Sequence, residues 1–240
     1  PVFNGSTLTY MFGCDQNTGA INQSLRGELL TKALKALAAL TDSRFKDIYD
    51  FDLAHWHQEP RAEGESWPDY LSRIANSGLF EGEDNAIYSL TIQNMRKENH
   101  SVQTFPNTYY FSHVTEQTFK VFLWNRYLPR PGMNPLFMTG SAWMGCQKFA
   151  DPFYPGFKDE DWWENDGAVP AYSQMYPRSA GHHPVAGEFT GTATDFHPGQ
   201  WYWQYLHGFD HLDIVMLPQP GQITWQRNFY ARLFRRLAAL

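Results

Sequence analysis

The stretch that most constrains this chain runs from residue 201 to residue 217, where an aromatic segment leads into Asp210-His-Leu-Asp213 and a short apolar run follows. A neutral imidazole such as that of His211 acts as a general base when a carboxylate holds its other ring nitrogen. Alternatively, the two aspartates supply hard oxygen ligands of the kind that calcium takes. A loop histidine between aspartates is more often a hydrogen-bonded surface residue than a catalyst, so the choice depends on residues elsewhere.

A second segment upstream, Glu164-Asn-Asp-Gly167, offers the missing carboxylate. Asn-Asp-Gly by itself predicts a turn or hairpin tip, but the apolar residues around it favour a shielded loop in which Asp166 orients an imidazole. Asp166 precedes His211 by 45 residues (211 − 166), which suits the order Ser…Asp…His of α/β-hydrolases. The 240 residues contain no Gly-x-Ser-x-Gly elbow. The nucleophile that this order requires is therefore not evident in the chain.

Several motifs spread along the chain carry a family resemblance. They are Pro1-Val-Phe-Asn-Gly-Ser-Thr7, Phe51-Asp-Leu-Ala-His-Trp56, Gly64-Glu-Ser66 with Tyr70, Pro106-Asn-Thr-Tyr-Tyr110 with Thr115-Glu116, and the two segments above. In this order they resemble the bacterial thermoalkalophilic and staphylococcal lipases, true lipases of the α/β-hydrolase class. The resemblance implies an α/β fold: residues 1–240 would be the C-terminal portion of a single α/β-hydrolase (lipase) domain, with a helical lid and long loop insertions.

The resemblance also assigns roles to the site residues. Asp166 and His211 would complete a Ser-His-Asp triad whose serine and oxyanion-hole loop lie N-terminal to where this chain begins. Asp213, with Asp210 as a second ligand, resembles the family's calcium site. Pro218 stands where the family has a further aspartate, so weak or absent calcium binding is expected.

Zinc is not expected, although the resembled lipases hold it in a small extra domain. The family's aspartate ligand is matched by Ala54, which cannot bind a metal. Asp52 and His55 are the nearest replacement ligands. The paired His182-His183 also suggest a metal, but without further ligand spacing a surface loop is the better interpretation.

Residues 21–40 read as an amphipathic helix, and they are the candidate lid. Its apolar positions recur at three- and four-residue steps: Leu25, Leu29, Leu30, Ala33, Leu34, Leu37 and Leu40. Such a stripe normally packs into a core. The resemblance favours a lid that closes over the lipid site, and both interpretations stay open here.

The remaining pattern is coarser. It predicts helices over 66–74, 81–97 and 224–240, a buried strand over 107–114, a long ordered loop over 129–155 and a Gly/Pro-rich loop over 176–200. Residues 115–128 give no clear pattern, and 212–217 read as a short helix or strand.

Composition excludes several classes of protein. A net charge of −6 without a basic cluster argues against nucleic acid as a partner. No apolar run approaches the roughly 20 residues that span a bilayer. Cys14 and Cys146 either pair or stay free. The chain begins with Pro1 rather than Met, which favours a processed product or a fragment.

Two functions follow. The first is a lipase or carboxylesterase that hydrolyses acylglycerol esters at a lipid–water interface, with this chain supplying Asp and His and an N-terminal half or companion chain supplying the serine; this chain alone would be inactive. The alternative is a non-catalytic lipase-fold structural subunit of a larger assembly. The compartment is open: secreted for the first, organellar for the second.

Overall fold

A computed structural model of the chain describes residues 2–21, 57–77, 83–179, 181–190, 194–214 and 222–240. The chain divides into two compact units, one formed by residues 1–8 with 92–240 and the other by residues 9–91. From residue 22 onwards the candidate lid helix lies outside the described residues. The same holds for the residues on which the zinc expectation depends, Asp52, Ala54 and His55. The expectations about a lid and about zinc therefore stay predictions.

The larger unit is built on a three-stranded parallel sheet. Its strands are β1 (Tyr110–Glu116), β4 (Val185–Glu188) and β5 (Trp201–His207), in the order β1-β5-β4. Strands β1 and β5 pair over their full length, from Tyr110 opposite Trp201 to Glu116 opposite His207. Because the strands are parallel, their carboxyl ends meet at one edge of the sheet, where α/β proteins place their sites.

A two-stranded antiparallel hairpin follows β1 after a single residue. It consists of β2 (Thr118–Val121) and β3 (Arg126–Pro129), joined by a 3₁₀ turn at Phe122–Trp124. Asn125 closes the turn in the left-handed region, with φ 43°, which asparagine tolerates better than most residues. In β3, the Tyr127 amide donates to the Gly145 carbonyl over 2.7 Å. A side chain at position 145 would collide with the backbone of Tyr127, since its Cβ would lie 2.1 Å from the Tyr127 carbonyl oxygen.

Seven short helices complete the described residues. They are α1 (Leu8–Met11), α2 (Trp67–Ala75), α3 (Ala86–Ser89), α4 (Ile92–Ser101), α5 (Pro135–Met144), α6 (Ala171–Gln174) and α7 (Ile223–Leu237), with a 3₁₀ turn at Asp159–Trp162. Ser66 caps α2 by accepting from the Asp69 amide, and Asn134 caps α5 by accepting from the Leu136 amide. Side-chain caps of this kind satisfy amides that a helix start leaves unpaired.

Three of the sequence predictions are wrong, and one of them is the loop expected over 176–200, which contains strand β4 at Val185–Glu188. The helix expected over 81–97 is broken, because α3 ends at Ser89 and α4 begins at Ile92. The loop expected over 129–155 contains α5, because Pro135 occupies the first turn, where proline favours a helix start. The predicted helices at 66–74 and 224–240 and the strand at 107–114 are confirmed, with shifts of a few residues at their ends.

Aromatic side chains fill the core beside the sheet. Phe189, Phe196 and Tyr202 form the buried cluster, and Phe111 packs against it. Helix α7 covers the sheet nearby, where Phe229 meets the imidazole of His113 edge-to-face with ring centres 4.8 Å apart. Burial first, and then the charge of Arg236, lower the pKa of His113 to about 4.

The histidine pair at 182–183 is not simply a surface feature. His183 is buried; its Nδ1 lies 2.9 Å from the Thr104 hydroxyl and its Nε2 lies 3.2 Å from the Asn99 carbonyl. Both ring nitrogens of His183 are therefore occupied by hydrogen bonds within the fold, which link the loop to Thr104 and Asn99.

In the unit of residues 9–91, Cys14 is buried and forms an isolated bridge with Ile21. Its thiol is free, and burial raises its pKa to about 12. Cys146, in the other unit, is also free. No helix in the described part of the chain is long and apolar enough to cross a membrane.

Candidate active site

The loop after residue 164 folds around the carboxylate of Asp166. One carboxylate oxygen, Oδ1, accepts from the amides of Ala168, at 3.0 Å, and Val169, at 2.7 Å. The Asp166 amide donates back to the Val169 carbonyl over 3.2 Å. Asn165 closes the same loop by accepting from the Gly167 amide over 2.8 Å. The Asn-Asp-Gly turn predicted from the sequence is therefore a tight loop in which side chains bind the backbone.

Gly167 is required at the tip of this loop for two reasons. Its φ of +94° lies in the left-handed region that L side chains rarely adopt. In addition, a Cβ at this position would lie 2.4 Å from the Cβ of Phe137 on α5. The Phe137 ring also faces the imidazole of His211 edge-to-face, with ring centres 6.0 Å apart. Helix α5 thus packs against both halves of the site.

The structure brings Asp166 and His211 together. Nδ1 of His211 lies 2.9 Å from Oδ2 of Asp166, and the His211 amide donates to the Asp166 carbonyl over 3.0 Å. The aspartate is 1% exposed. Because a carboxylate only accepts hydrogen bonds, Nδ1 must carry the ring proton, and Nε2 keeps a free lone pair.

Two further donors reach the same carboxylate oxygen, and sequence reasoning did not find them as site residues. The Thr115 hydroxyl at the end of β1 lies 2.8 Å from Oδ2, and Nε2 of Gln174 on α6 lies 3.2 Å from it. Thr115 was recognised only as part of a family motif. Gln174 gave no sequence signal at all, since a single buried amide forms no spacing pattern.

The Gln174 side chain also binds the backbone of β1. Its Oε1 accepts from the Thr115 amide over 2.9 Å, and its Nε2 donates to the Thr115 carbonyl over 3.0 Å. Gln174 is 1% exposed. The amide therefore fixes Thr115 and Asp166 relative to each other in a buried, fully bonded arrangement.

The shifted pKa values of Asp166 and His211 favour an ionised carboxylate beside a protonated imidazole. Burial alone would lower the pKa of His211, but the hydrogen bond and the negative charge of Asp166 outweigh it and raise the pKa above its usual value. For Asp166, burial would raise the pKa, but His211 and the two loop amides hold it below its usual range. Asp166 is thus ionised and poised to stabilise an imidazolium.

His211 is also accessible. Its side chain is 37% exposed, and its Nε2 has no hydrogen-bond partner within the part of the chain that the structure describes. A hydroxyl group placed at this nitrogen can give up its proton to it.

The two aspartates that flank His211 support its loop. Asp210 accepts from the Asn134 amide over 2.8 Å and from the Leu212 amide over 3.0 Å, while Asp213 accepts from the Asp210 amide over 2.8 Å. Both carboxylates are 1% exposed. Their oxygens thus satisfy backbone donors at both ends of the turn.

These carboxylates do not make a calcium site by themselves. Calcium takes roughly six to eight oxygen ligands, and the described residues contain no cluster of three or more acidic, histidine or cysteine side chains that would hold a metal ion. Residues 215–221, which follow the turn, lie outside the described residues. Calcium at Asp210 and Asp213 stays a prediction.

A second acid–histidine pair lies beside the site. Nδ1 of His207 is 2.7 Å from the carboxylate of Glu116, which is itself 1% exposed. Glu164 lies nearby; burial first, and then the charge of Glu116, raise its pKa. Two further acidic groups, Glu116 and Glu164, thus lie at the carboxyl edge of the sheet, and Glu116 is paired with His207.

Sequence comparison identifies the family. The model described as "Lipase-like, C-terminal domain" matches residues 6–238. The lipase of Staphylococcus hyicus is 29% identical over 169 residues, which cover 69% of this chain and 23% of that protein. Lipase 2 of Staphylococcus aureus is 27% identical over 217 residues, covering 88% of this chain and 27% of that protein. The chain thus spans about a quarter of the length of these curated relatives.

Solved structures share the fold. EstA from Clostridium botulinum superposes with a TM-score of 0.76 at 26% identity, over 99% of this chain and 51% of that one. The Staphylococcus hyicus lipase gives 0.63 at 23% identity, over 98% of this chain and 54% of that one. Lipase 1 from Pelosinus fermentans gives 0.65 at 24% identity, over 96% and 57%.

The resemblance inferred from the motifs is confirmed by these matches, which run from one end of the chain to the other. With its parallel sheet and with a family match over more than nine-tenths of its residues, the chain belongs to the family of lipase-like C-terminal domains.

Proposed function

We propose that this chain supplies the aspartate and histidine of a Ser-His-Asp triad in a lipase that hydrolyses acylglycerol esters. The observation that carries the proposal is the 2.9 Å contact between Nδ1 of His211 and the buried Asp166 carboxylate, with Nε2 left unpartnered among the described residues. The lipases among its relatives support the substrate class. The serine and the oxyanion donors come from an N-terminal half or a companion chain.

The chemistry follows from this geometry. A serine hydroxyl bonded to Nε2 of His211 loses its proton to the imidazole as its oxygen attacks the ester carbonyl. The protonated His211 then gives that proton to the alkoxy oxygen as the alcohol leaves and an acyl-serine remains. Water, deprotonated by the same nitrogen, attacks the acyl group, and His211 returns the proton to the serine as the fatty acid leaves.

The residues of this chain hold the proton relay in register. Asp166 fixes the tautomer of His211 and stabilises the imidazolium, while Thr115, Gln174 and the loop amides keep the carboxylate oriented and ionised. A carboxylate with several donors needs little reorganisation when the imidazole becomes charged, which lowers the barrier.

The remaining parts of the proposal concern residues outside the described ones. Residues 21–40 are proposed as the lid over the lipid site. Their leucine stripe suits a helix that covers the site when closed and contacts lipid when open. The alternative of a non-catalytic structural subunit is less well supported, because the reported relatives are lipases and the Asp166–His211 contact has the geometry of a functional pair.

The test uses the full-length protein that contains this chain. His211→Ala should lower kcat on tributyrin and on a short-chain nitrophenyl ester by on the order of a thousandfold or more, since the triad acts as a unit. His197→Ala is the matched control: this imidazole is 67% exposed and its one ion-pair partner among the described residues is the exposed Asp195, so the change should leave kcat unchanged. Full activity of the His211 variant, or a wild type inactive on every ester, would contradict the proposal.

A further inference from the structure

The tip of the hairpin between β2 and β3 presents three consecutive large apolar side chains to solvent. Phe122 is 87% exposed, Leu123 92% and Trp124 63%. Single exposed apolar residues are ordinary on protein surfaces, whereas a contiguous group marks an interaction site. This tip is therefore a candidate binding surface and not part of the hydrophobic core.

The tip stands on a firm base. The Gln117 amide donates to the Asn165 carbonyl over 3.0 Å, and the Arg130 amide donates to the Gln117 carbonyl over 2.9 Å. These two contacts fix the hairpin where it begins and ends, and the Tyr127–Gly145 bond holds β3 nearer the turn, at the pair of Tyr127 with Lys120. Three consecutive exposed apolar side chains on one turn suit insertion into a soft surface better than the capture of a peptide in a groove.

Two cations lie next to the apolar tip. Residues 117–132 contain Lys120, Arg126 and Arg130 and no acidic residue, in a chain whose net charge is −6. Nζ of Lys120 lies 5.8 Å from the centre of the Phe122 ring, and the guanidinium carbon of Arg126 lies 5.5 Å from that of Trp124. Neither cation has an acidic partner within the described residues.

Aromatic side chains flanked by lysine and arginine match the two layers of a lipid surface. The rings and the leucine enter the acyl boundary, while the cations stay at the level of the phosphates. Anionic headgroups attract each nearby cation, and salt screens that attraction.

We propose that Phe122, Leu123 and Trp124 insert into an anionic lipid surface, with Lys120 and Arg126 binding its headgroup phosphates. This inference rests on the exposure and charge of the hairpin and not on the catalytic proposal. Its consequence for the site is positional. β2 begins three residues after Thr115, and Gln117, just before it, is bonded to the loop of Asp166, so docking would hold the carboxyl edge of the sheet at the lipid.

The experiment measures co-sedimentation of the full-length protein with unilamellar vesicles of ether-linked phosphatidylcholine, with and without ether-linked phosphatidylglycerol. Ether lipids cannot be hydrolysed as esters, so the result is independent of whether the protein is an esterase. Replacing Phe122, Leu123 and Trp124 by serine should lower partitioning onto the anionic vesicles by about tenfold or more. The single change Leu123→Asp, at the most exposed of the three, should act in the same direction.

The matched control is Phe105→Ser. Phe105 is 61% exposed, close to the value for Trp124, but it lies outside the hairpin and should leave partitioning unchanged. The double variant Lys120→Ser with Arg126→Ser should bind anionic vesicles less tightly and lose much of the wild type's sensitivity to salt.

Three outcomes would overturn the proposal. The first is a wild type that binds neither kind of vesicle. The second is a serine variant that partitions as the wild type does. The third is self-association in the absence of lipid, measured by sedimentation velocity, that the serine changes abolish while vesicle binding persists; the tip would then be a contact between two copies of the protein.

Discussion

The Asp166 site and the hairpin tip both begin at the carboxyl end of β1, but they are stabilised in opposite ways. At Asp166, five donors from the backbone, Thr115, Gln174 and His211 surround one buried carboxylate. At the tip, three apolar side chains are largely exposed to solvent. Leaving a buried polar group unpaired costs about 1 to 3 kcal/mol. The hydrogen bonds around Asp166 are therefore needed for the stability of the folded chain itself. The hairpin tip contributes little to the stability of the fold, and binding to a lipid surface explains its apolar sequence better.

The largest effect that would separate the two regions is expected from Asp166→Asn. The Ala168 and Val169 amides need an acceptor, so the new side chain will turn its oxygen towards them and its NH₂ towards His211. Nδ1 must then accept, which places the ring proton on Nε2 and removes the base. We expect kcat to fall by about 10⁴-fold, measured on tributyrin, with vesicle binding unchanged. A variant that keeps a tenth of the activity would contradict this tautomer argument.

Gly167→Ala tests how rigidly the site is packed. The substitution imposes an unfavourable φ and forces its Cβ against Phe137, so the free energy of unfolding should fall by about 3 kcal/mol or more. Gly181→Ala is the control: its φ is +78° but nothing lies within 4 Å of the added Cβ, and the loss should be about 1 kcal/mol. Equal losses in urea unfolding would show that the contact with Phe137 does not matter.

Gln174→Met asks whether the amide or merely its volume matters. Methionine fills a similar space but leaves the Thr115 amide without an acceptor and the Thr115 carbonyl without a donor. It also removes one of the three side-chain donors to Oδ2 of Asp166. We expect a loss of about 1 to 3 kcal/mol of unfolding free energy. The carboxylate also becomes a stronger acceptor, so the acid limb of kcat/KM should move to higher pH. A purely structural role would leave the pH profile of the remaining activity unshifted.

The pH dependence of the wild type follows from the raised pKa of His211. Catalysis needs the neutral ring, so kcat/KM should fall as pH drops through the folded-state pKa, with a midpoint above about 6.5. The stabilisation that protonated His211 gives the fold runs the other way: it is fully present below the unfolded pKa and is lost as pH rises through the folded one. NMR titration of the imidazole measures this midpoint, and a value below 6.5 would contradict the expectation.

The smallest effect is expected at the tip. Serine at Phe122 or Leu123 should change the unfolding free energy by no more than about 0.5 kcal/mol, since neither side chain leaves water on folding. Thermal unfolding of each variant measures this. A loss comparable to that of Gln174→Met would show that the tip is internally supported, and the contrast between the two regions would fail.

The sequence made half of the site predictable. The contact between Asp166 and His211 was expected from the family resemblance of the motifs around each residue, and the structure places Nδ1 of His211 2.9 Å from Oδ2 of Asp166; their catalytic roles stay a prediction. Helix α7 was predictable because its apolar stripe repeats over four turns. Helix α5 was missed because Pro135, Gly140 and Gly145 look like breakers, whereas the proline starts the helix and Gly145 gives room to Tyr127.

Other features depend on tertiary structure alone. Gln174 binds Thr115, 59 residues away, so no local pattern reveals it. The Phe-Leu-Trp run at 122–124 has the composition of a buried strand, but in the structure it forms the turn between β2 and β3, where all three side chains are largely exposed. Patterns of residue type report preference for burial, but the position of a hairpin relative to its neighbours decides whether burial is available.

The contact between Gln174 and Thr115 has a consequence for how sheets extend. Among the described residues β1 has one neighbour, β5, and its other edge offers backbone groups to any strand that adds there. The Gln174 amide occupies both groups of Thr115, so an added strand must end its pairing before that residue. One side chain would thus limit the length of any hydrogen-bond ladder formed on that edge, and it would do so at the residue that also binds Asp166.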